Sequence, residues 1–239
     1  ETPVVVLEVQ RGGPSTGLPT KTEQGDLYQV LGASQGDYPK IVIAPKNIED
    51  AFDATIEAFN LADRFQCPVF IMSDLLLSEH TEAVDKFNTD FKIDRGEWSD
   101  KKGHEFKRYA ITPSGISPRS KPGVEGTIFV SSSDEHNEEG EVISDVFTDE
   151  KKRKAMMEKR MRKMETALKA IKPPQLEGDS DAAVTFVGWG STWGIIQEMR
   201  RRLAKEGVKT NELIIRNVWP FHSDAVKSAL EKAKNPILI

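Results

Sequence analysis

The sequence predicts an α/β fold with two parallel-sheet domains, because two groups of short apolar runs alternate with amphipathic helical segments. The first group is PVVVLEV, KIVIAP and CPVFIM, and the second is AAVTFVG, NELIIRNV and PILI. Each run has the length and apolar content of a buried strand. A charged segment that ends in two prolines separates the groups. We therefore expect domains at residues 1–147 and 178–239, joined by a helix and linker over residues 148–177.

The first long helix is predicted between KIVIAP and CPVFIM. Asn47 followed by Asp50 resembles an N-terminal cap. Apolar side chains recur at helical spacing, and four of them share the face that we expect to meet the sheet: Ile48, Phe52, Ile56 and Phe59. A strand, a helix and a strand in this order predict a right-handed crossover on a parallel sheet.

The middle of the chain, from about residue 73 to residue 131, has no clear period. LLLSEHTEAVDKF has the pattern of a short helix, and the following segment through SKPGVEG is rich in glycine and proline. A loop of this length is usually functional or disordered. DEHNEEGEV is expected, from its charges alone, to be a solvated acidic turn.

The segment DEKKRKAMMEKRMRKMETALKAIKPP predicts a charged helix that ends at two prolines. Its flanking acidic residues and narrow apolar stripe favour a domain connection over binding to calmodulin or RNA. The stripe comprises Met157, Met161, Met164, Leu168 and Ile171. A later helix is expected to end at Gly207 and to direct inward Ile195, Met199 and Leu203.

Composition narrows the classes of function. The formal charge of −5 lacks the basic footprint of a nucleic-acid-binding protein. A single cysteine, Cys67, excludes an internal disulfide or a cysteine-bound cluster within this chain, and weakly favours a cytoplasmic location. The four histidines lack ligand spacing, so no metal site is expected. No apolar run approaches the ~20 residues of a membrane span. Both ends fall in strand patterns, so we expect part of a longer polypeptide.

Two glycine-rich turns are candidate ligand sites. QRGGPSTGLPT lacks the Gly-Lys-Ser/Thr ending of a P-loop, because Lys21 follows Pro19 and Thr20. Ser15 lies in G-P-S-T-G rather than in a nucleophile elbow. GWGSTWG resembles a dinucleotide-binding turn, but its third glycine, Gly194, comes one residue late. A tight strand-to-helix turn explains GWGSTWG better, and a dinucleotide site remains the alternative.

The first turn has the pattern of an anion-binding loop. Arg11 closes a buried strand, which is where ligand sites lie in open α/β sheets. A guanidinium there needs an anion, and its planar fork fits a carboxylate or a phosphate. Hydroxyl donors follow at Ser15, Thr16, Thr20 and Thr22. The alternative is that Arg11 pairs with a neighbouring acidic side chain.

QRGGPSTGLPTKTEQGDL also resembles the α subunit of 2-oxoacid:ferredoxin oxidoreductases, particularly the 2-oxoglutarate type. Three other stretches are similar to that family in the same order, so the resemblance covers almost the whole chain: FKRYAITPSGISPRSKPG, DEHNEEG, and VGWGSTWG with NVWPFHSDAV. The implied fold is the later part of a pyrimidine-type thiamine-diphosphate-binding domain, followed by a truncated transketolase C-terminal-like domain.

The resemblance implies a reaction and its participants. A 2-oxoacid is decarboxylated on thiamine diphosphate and oxidised through iron–sulfur clusters, the acyl group passes to coenzyme A, and ferredoxin takes the electrons. Arg11 and Thr20 match the residues that face the substrate, with Arg11 on its carboxylate, and Ser15 and Thr16 are secondary candidates. GISPRSKPG favours 2-oxoglutarate over pyruvate.

The resemblance also divides the labour between subunits. Diphosphate, Mg²⁺ and the cluster-binding cysteines belong to a β subunit in that family, and a γ subunit is a further candidate partner. The family's thiamine-contacting glutamate and its YPITP-type loop match nothing here, because they lie before the matched region. We therefore expect this chain to be inert alone, with no catalytic residue, metal ligand or cofactor contact assigned within it. The alternative function is a non-catalytic α/β module that binds an anion or a dinucleotide.

Overall fold

The computed structural model describes residues 2–32, 34–144 and 148–239, which form two four-stranded sheets with helices packed on them. The strands are β1 (Val4–Gln10), β2 (Ile41–Ile43), β3 (Pro68–Asp74), β4 (Leu176–Gly178), β5 (Val184–Gly188), β6 (Thr210–Ile214), β7 (Asn217–Trp219) and β8 (Pro236–Leu238). The helices are α1 (Leu27–Gly32), α2 (Ile48–Phe65), α3 (Leu75–Glu79), α4 (Glu150–Ala170), α5 (Thr192–Lys205) and α6 (Ser223–Lys232). None of the helices among these residues is long and apolar enough to cross a membrane.

The first sheet has the order β1-β3-β2-β7 and the second has the order β4-β6-β5-β8. In the first, β1 and β2 run parallel to β3, and Val69 of β3 lies between Val5 and Ile41. In the second, β6 and β8 run parallel to β5. The α/β fold class predicted from the sequence is confirmed, with parallel pairing dominant in both sheets.

The sheets are mixed rather than wholly parallel, because two strands pair antiparallel. NELIIRNV is two strands and not the single strand predicted: β6 lies in the second sheet, and β7 pairs antiparallel with β2 in the first. The other antiparallel strand is β4, on β6. At the crossing, the amide of Ile215 donates to Gly188 and the carbonyl of Arg216 accepts from Ala44. The predicted domain division stays a prediction, and its boundary at residue 147 lies outside the described residues.

Helix α2 begins as predicted, because the Asn47 side chain accepts a hydrogen bond from the Asp50 amide at 2.9 Å. The predicted inward face is only partly right, because Ile48, Phe52 and Ile56 are half-buried rather than buried. Phe59 is 56% exposed, whereas the buried residues of the helix are Ala54, Ala58, Leu61, Ala62 and Phe65. The three alanines let the helix approach the sheet closely, and the bulky Phe59 side chain lies outside that contact.

The buried face of α4 overlaps the predicted stripe only in part: Ile171, just after the helix, is buried and Met164 packs against the core of the first sheet. Met161 is 42% exposed, and the side chains that face inward are Met156, Lys159, Lys163 and Ala167. The lysine stems pack against the protein while their ammonium groups reach backbone carbonyls. Lys159 Nζ donates to the Tyr109 carbonyl at 3.1 Å, and Lys163 Nζ donates to the Gln66 carbonyl at 3.2 Å.

Two further expectations about packing are wrong. In α5, Ile196 is fully buried while Ile195 is 51% exposed, so Ile195 was wrongly predicted to face inward, whereas Met199 and Leu203 are half-buried. The helix does end before Gly207, which has a φ of +76°. The acidic turn is not simply solvated: the His136 ring lies 3.9 Å from the Tyr109 ring, and both His136 and Asn137 are buried. A buried Asn137 is satisfied because its side-chain oxygen accepts the backbone amides that close the turn.

Candidate functional site

The candidate site lies at the carboxyl edge of the first sheet. Because β1, β2 and β3 are parallel, their carboxyl ends meet at one edge, where Gln10 lies opposite Asp74. Arg11 comes directly after Gln10 and begins the glycine-rich loop. This is the edge at which open α/β sheets bind ligands, because the connecting loops there present backbone donors and side chains to the same crevice.

The loop between β1 and α1, residues 11–26, folds back on itself. The Leu18 amide donates to the Gly12 carbonyl at 2.7 Å, and the Lys21 amide donates to the Leu18 carbonyl at 3.0 Å. Gly17 has a φ of +51°, and a Cβ there would lie 2.1 Å from the Gly12 carbonyl oxygen. Only glycine fits at this position, which explains why the loop carries it.

Arg11 is partly buried and lines a cleft of about 620 Å³. Within the described part of the chain, its guanidinium makes no hydrogen bond or ion pair, so the alternative pairing with a neighbouring acid is not observed. Gly12, Gly13 and Pro14 also line the cleft. The arrangement leaves a permanently charged fork beside a loop whose backbone a ligand can approach closely.

The hydroxyl residues that the sequence singled out divide into two groups. Ser15 lines the cleft with Arg11 and has a φ of +55°. Thr16, Thr20 and Thr22 are exposed and are not among the residues that line it. The structure therefore brings Arg11 and Ser15 together and leaves the threonines on the outer surface of the loop.

Three carboxyl side chains that sequence reasoning missed share the cleft: Glu8, Glu23 and Asp26. Burial, and secondarily the charge of Asp26, raises the pKa of Glu8. The alternation of β1 could have placed Glu8 on the face of Gln10, but the return of Glu23 and Asp26 to the same cleft depends on the loop fold. Their negative charge limits what the cleft can hold.

A diphosphate does not fit this cleft. One guanidinium faces three carboxyl groups, whereas a diphosphate needs several donors or a bridging cation. Among residues 2–32, 34–144 and 148–239, no group of three or more histidine, cysteine or acidic side chains is placed to hold a metal ion. A single carboxylate is the anion that one arginine fork and one serine suit best.

Two glutamines that sequence reasoning also missed hold the loop. Gln10 is 1% exposed: its Nε2 donates to the Ser73 carbonyl at 3.2 Å, and its Oε1 accepts from the Asp26 amide at 3.3 Å. Gln24 Nε2 donates to the carbonyl of Trp189 at 2.9 Å. The second of these bonds joins the loop to the GWGSTWG turn.

The GWGSTWG turn has the geometry of a tight connection between β5 and α5. A Cβ on Gly188 would lie 2.8 Å from both Ile196 Cδ1 and Thr192 Oγ1, so this glycine permits close packing of the strand on the helix. Gly194 has open space around it and is not needed for such an approach. These contacts support the interpretation as a packing turn, since the third glycine of a dinucleotide fingerprint serves close helix–strand packing.

The chain is thus an α/β protein whose glycine-rich loop, with a partly buried arginine, follows a strand at the carboxyl edge of the first sheet. Residues 1–159 match the family described as pyruvate flavodoxin/ferredoxin oxidoreductase, thiamine diphosphate-binding. The chain belongs to this family.

Similar proteins carry related names. The chain is 36% identical to subunit alpha of 2-oxoacid:ferredoxin oxidoreductase 2 from Aeropyrum pernix, over all of this chain and 37% of that protein. It is 31% identical to the 2-oxoglutarate synthase subunit KorA of Methanocaldococcus jannaschii, over all of this chain and 62% of that protein. A solved structure of 2-oxoglutarate:ferredoxin oxidoreductase from Magnetococcus marinus, with 2-oxoglutarate, coenzyme A and succinyl-CoA bound, matches 99% of this chain and 41% of that chain, with a TM-score of 0.90 and 33% identity. The chain thus spans between about a third and two thirds of these relatives.

Proposed function

We propose that this chain is part of the α subunit of a 2-oxoacid:ferredoxin oxidoreductase that acts on 2-oxoglutarate, and that Arg11 binds the substrate carboxylate. The observation that carries the proposal is the Arg11 guanidinium, which lines the cleft without an ion pair within the described residues. Membership of the family and the names of the relatives support the reaction class. The substrate 2-oxoglutarate is supported by the M. jannaschii and M. marinus proteins and by the GISPRSKPG segment.

The proposed division of labour follows from what the cleft suits. Arg11 and Ser15 bind and orient one carboxylate, and Thr20 is a second substrate contact on the outer surface of the loop. Thiamine diphosphate supplies the carbanion-stabilising chemistry when it is bound. The β subunit holds the diphosphate, Mg²⁺ and the iron–sulfur clusters, as the family resemblance implies, and the single cysteine of this chain is consistent with that division. Ferredoxin accepts the electrons and coenzyme A accepts the acyl group.

Co-expression of the α subunit with its β subunit tests this function. The purified complex is expected to reduce a viologen dye with 2-oxoglutarate and coenzyme A, and to do so less efficiently with pyruvate and longer 2-oxoacids. The 239-residue chain alone is expected to give no reduction. A complex that contains thiamine diphosphate and iron but reduces viologen with none of the 2-oxoacids would overturn the proposal, and a preference for pyruvate would overturn the substrate assignment.

A further inference from the structure

The loop that carries Arg11 is tied to the second sheet by one side chain, Gln24. Its Nε2 donates to the Trp189 carbonyl at 2.9 Å, between residues 165 positions apart in the sequence. Gln24 is partly buried, and Arg11, at the other end of the loop, has no such bond within the described residues. The position of Arg11 therefore depends on how the loop as a whole is held.

The acceptor is a fixed point, because the GWGSTWG turn is anchored on both sides. Thr192 Oγ1 donates to the Trp189 carbonyl at 2.8 Å. The Trp189 side chain packs against the apolar cluster of the first sheet, which contains Val42, Ala44 and Met72. The backbone of the turn thus connects β5 to α5, while the indole ring of Trp189 packs on the first sheet.

The turn also leaves room for Gln24. Gly190 has a φ of +58°, and a Cβ on this residue would lie 2.8 Å from Gln24 Nε2. A side chain at position 190 would therefore be strained and would displace the Gln24 amide from the turn. The GWGSTWG motif makes no other contribution to the proposed substrate site. Its role would be to accept the hydrogen bond from Gln24 and so hold the Arg11 loop.

We propose that Gln24 is a positioning residue, which sets the Arg11 loop against the GWGSTWG turn so that the second sheet orients the substrate anchor. The proposal rests on the proposed function, since Arg11 is the anchor only if the substrate is a carboxylate. Gln10 holds the same loop from the first sheet, through the Ser73 carbonyl and the Asp26 amide. A shift of the second sheet relative to the first would thereby reach the guanidinium.

The test uses the assembled α–β enzyme with Gln24→Met and Gln24→Glu, which keep the length of the side chain but cannot donate. Loss of one hydrogen bond predicts about a 3- to 10-fold fall in kcat/KM for 2-oxoglutarate, mainly through a higher KM. In an Arg11→Ala background the same substitutions are expected to change kcat/KM less than about twofold, because the anchor that they position is gone. Gln35→Leu, at an exposed glutamine, is the matched control.

Hydrogen exchange tests the Gln24–Trp189 contact separately from the proposed substrate role of Arg11. Gln24→Met is expected to accelerate exchange at the Leu18 and Lys21 amides while leaving α2 unchanged. Equal losses of kcat/KM in both backgrounds would overturn the positioning role, since a general loss of folded enzyme acts independently of Arg11. If Arg11→Ala leaves kcat/KM within about twofold of the parent, the proposed substrate role fails. In that case, faster exchange in the loop of Gln24→Met still supports the role of the Gln24–Trp189 hydrogen bond in holding the loop, and unchanged exchange contradicts it.

Discussion

At the residue scale, the main chemical feature of the cleft is the Arg11 guanidinium, which lies among acidic side chains. Arg11 has no ion-pair partner among the described residues, although Glu8, Glu23 and Asp26 line the same cleft. Holding a guanidinium without a partner costs stability, since a partly buried charge loses part of its hydration. A substrate carboxylate would recover that cost on binding, which makes Arg11 the residue whose removal matters most.

Substitutions at Arg11 and Thr20 test this ranking in the assembled enzyme. Hydrogen bonds to charged groups contribute about 1.5–3 kcal/mol, so Arg11→Ala is expected to lower kcat/KM by about 10- to 200-fold. Arg11→Lys should recover only part, because an ammonium group cannot form the bidentate pair. Thr20→Val should be mildest, since it removes one neutral donor. Steady-state kinetics with 2-oxoglutarate checks the order, with Arg201→Ala as a control at an exposed arginine.

Cys67 is a second residue whose chemistry the fold changes. Burial raises the pKa of its thiol to about 11, against 9.0 for the ordinary group. Above pH 9 the unfolded chain loses this proton while the folded chain keeps it, so the free energy of unfolding falls as the pH rises from about 9 to about 11. Two pKa units correspond to about 2.7 kcal/mol. Urea denaturation at several pH values measures the free energy of unfolding of the parent and of Cys67→Ala. The difference between the two proteins should change by this amount between pH 9 and pH 11. Parallel pH profiles for the two proteins would contradict it.

At the scale of the element, close backbone approach decides how helix α4 sits. The segment before the acidic turn crosses this helix at Gly115, which has a φ of +77°. A Cβ there would lie 2.5 Å from the Lys159 carbonyl oxygen and 2.6 Å from the Lys163 amide nitrogen. The two buried lysines lie at this crossing, and they reach carbonyls of Tyr109 and Gln66 on either side. The glycine-rich segment is therefore a structural partner of α4 where it crosses the helix.

Gly115→Ala and Gly123→Ala separate steric clash from backbone strain. Both glycines have positive φ, at +77° and +84°, so both substitutions carry about 1–2 kcal/mol of left-handed strain. Gly123 has nothing within 4 Å of an added Cβ, whereas Gly115 faces helix backbone. We expect Gly115→Ala to lower the free energy of unfolding by about 1–3 kcal/mol more than Gly123→Ala. Chemical denaturation measures the difference, and equal losses would show that α4 moves aside without cost.

At the scale of the whole molecule, the two sheets are joined by a strand and by an ion-pair group. The chain leaves the second sheet after β6 and enters the first, where β7 pairs with β2. Just before it, Arg216 pairs with Asp50 at 2.7 Å and with Glu57 at 2.6 Å, both on α2. Burial opposes the charge of Arg216, but the two carboxylates outweigh it and raise the pKa of the guanidinium. The join is therefore built from main-chain pairing and a charge held by two partners.

Arg216→Leu tests how much this group contributes to joint unfolding. It leaves Asp50 and Glu57 without their cation, so we expect the free energy of unfolding to fall by about 1–3 kcal/mol. Arg201→Leu is the matched control, because Arg201 pairs with Glu198 on the surface and such pairs contribute at most about 1 kcal/mol. Urea denaturation followed by circular dichroism provides the measurement. If both substitutions cost the same, the Arg216 group does no more than a surface pair.

Local patterns in the sequence identified most of the strands, the long helices α2, α4 and α5, and the loop that carries Arg11, but not α1, β4 or the separate strand β7. Each identified element follows from local chemistry: apolar runs for β1, β2, β3 and β5, a capping asparagine for α2, and glycines where the loop turns sharply. The spacing of side chains within a helix is also local. For that reason the long helices were predictable, and so was the placement of Arg11 at the end of a strand.

Packing between segments that are remote in the sequence sets which face of each helix is buried and which side chains surround Arg11. In α2 the buried alanines, including Ala58, allow close approach to the sheet, whereas in α4 the buried Lys159 faces inward because the Tyr109 carbonyl accepts its ammonium group. The three carboxyl groups of the cleft and the bond from Gln24 to Trp189 join residues brought together by loop closure and sheet packing. Such contacts depend on distances between segments remote in the chain, which a local pattern does not encode.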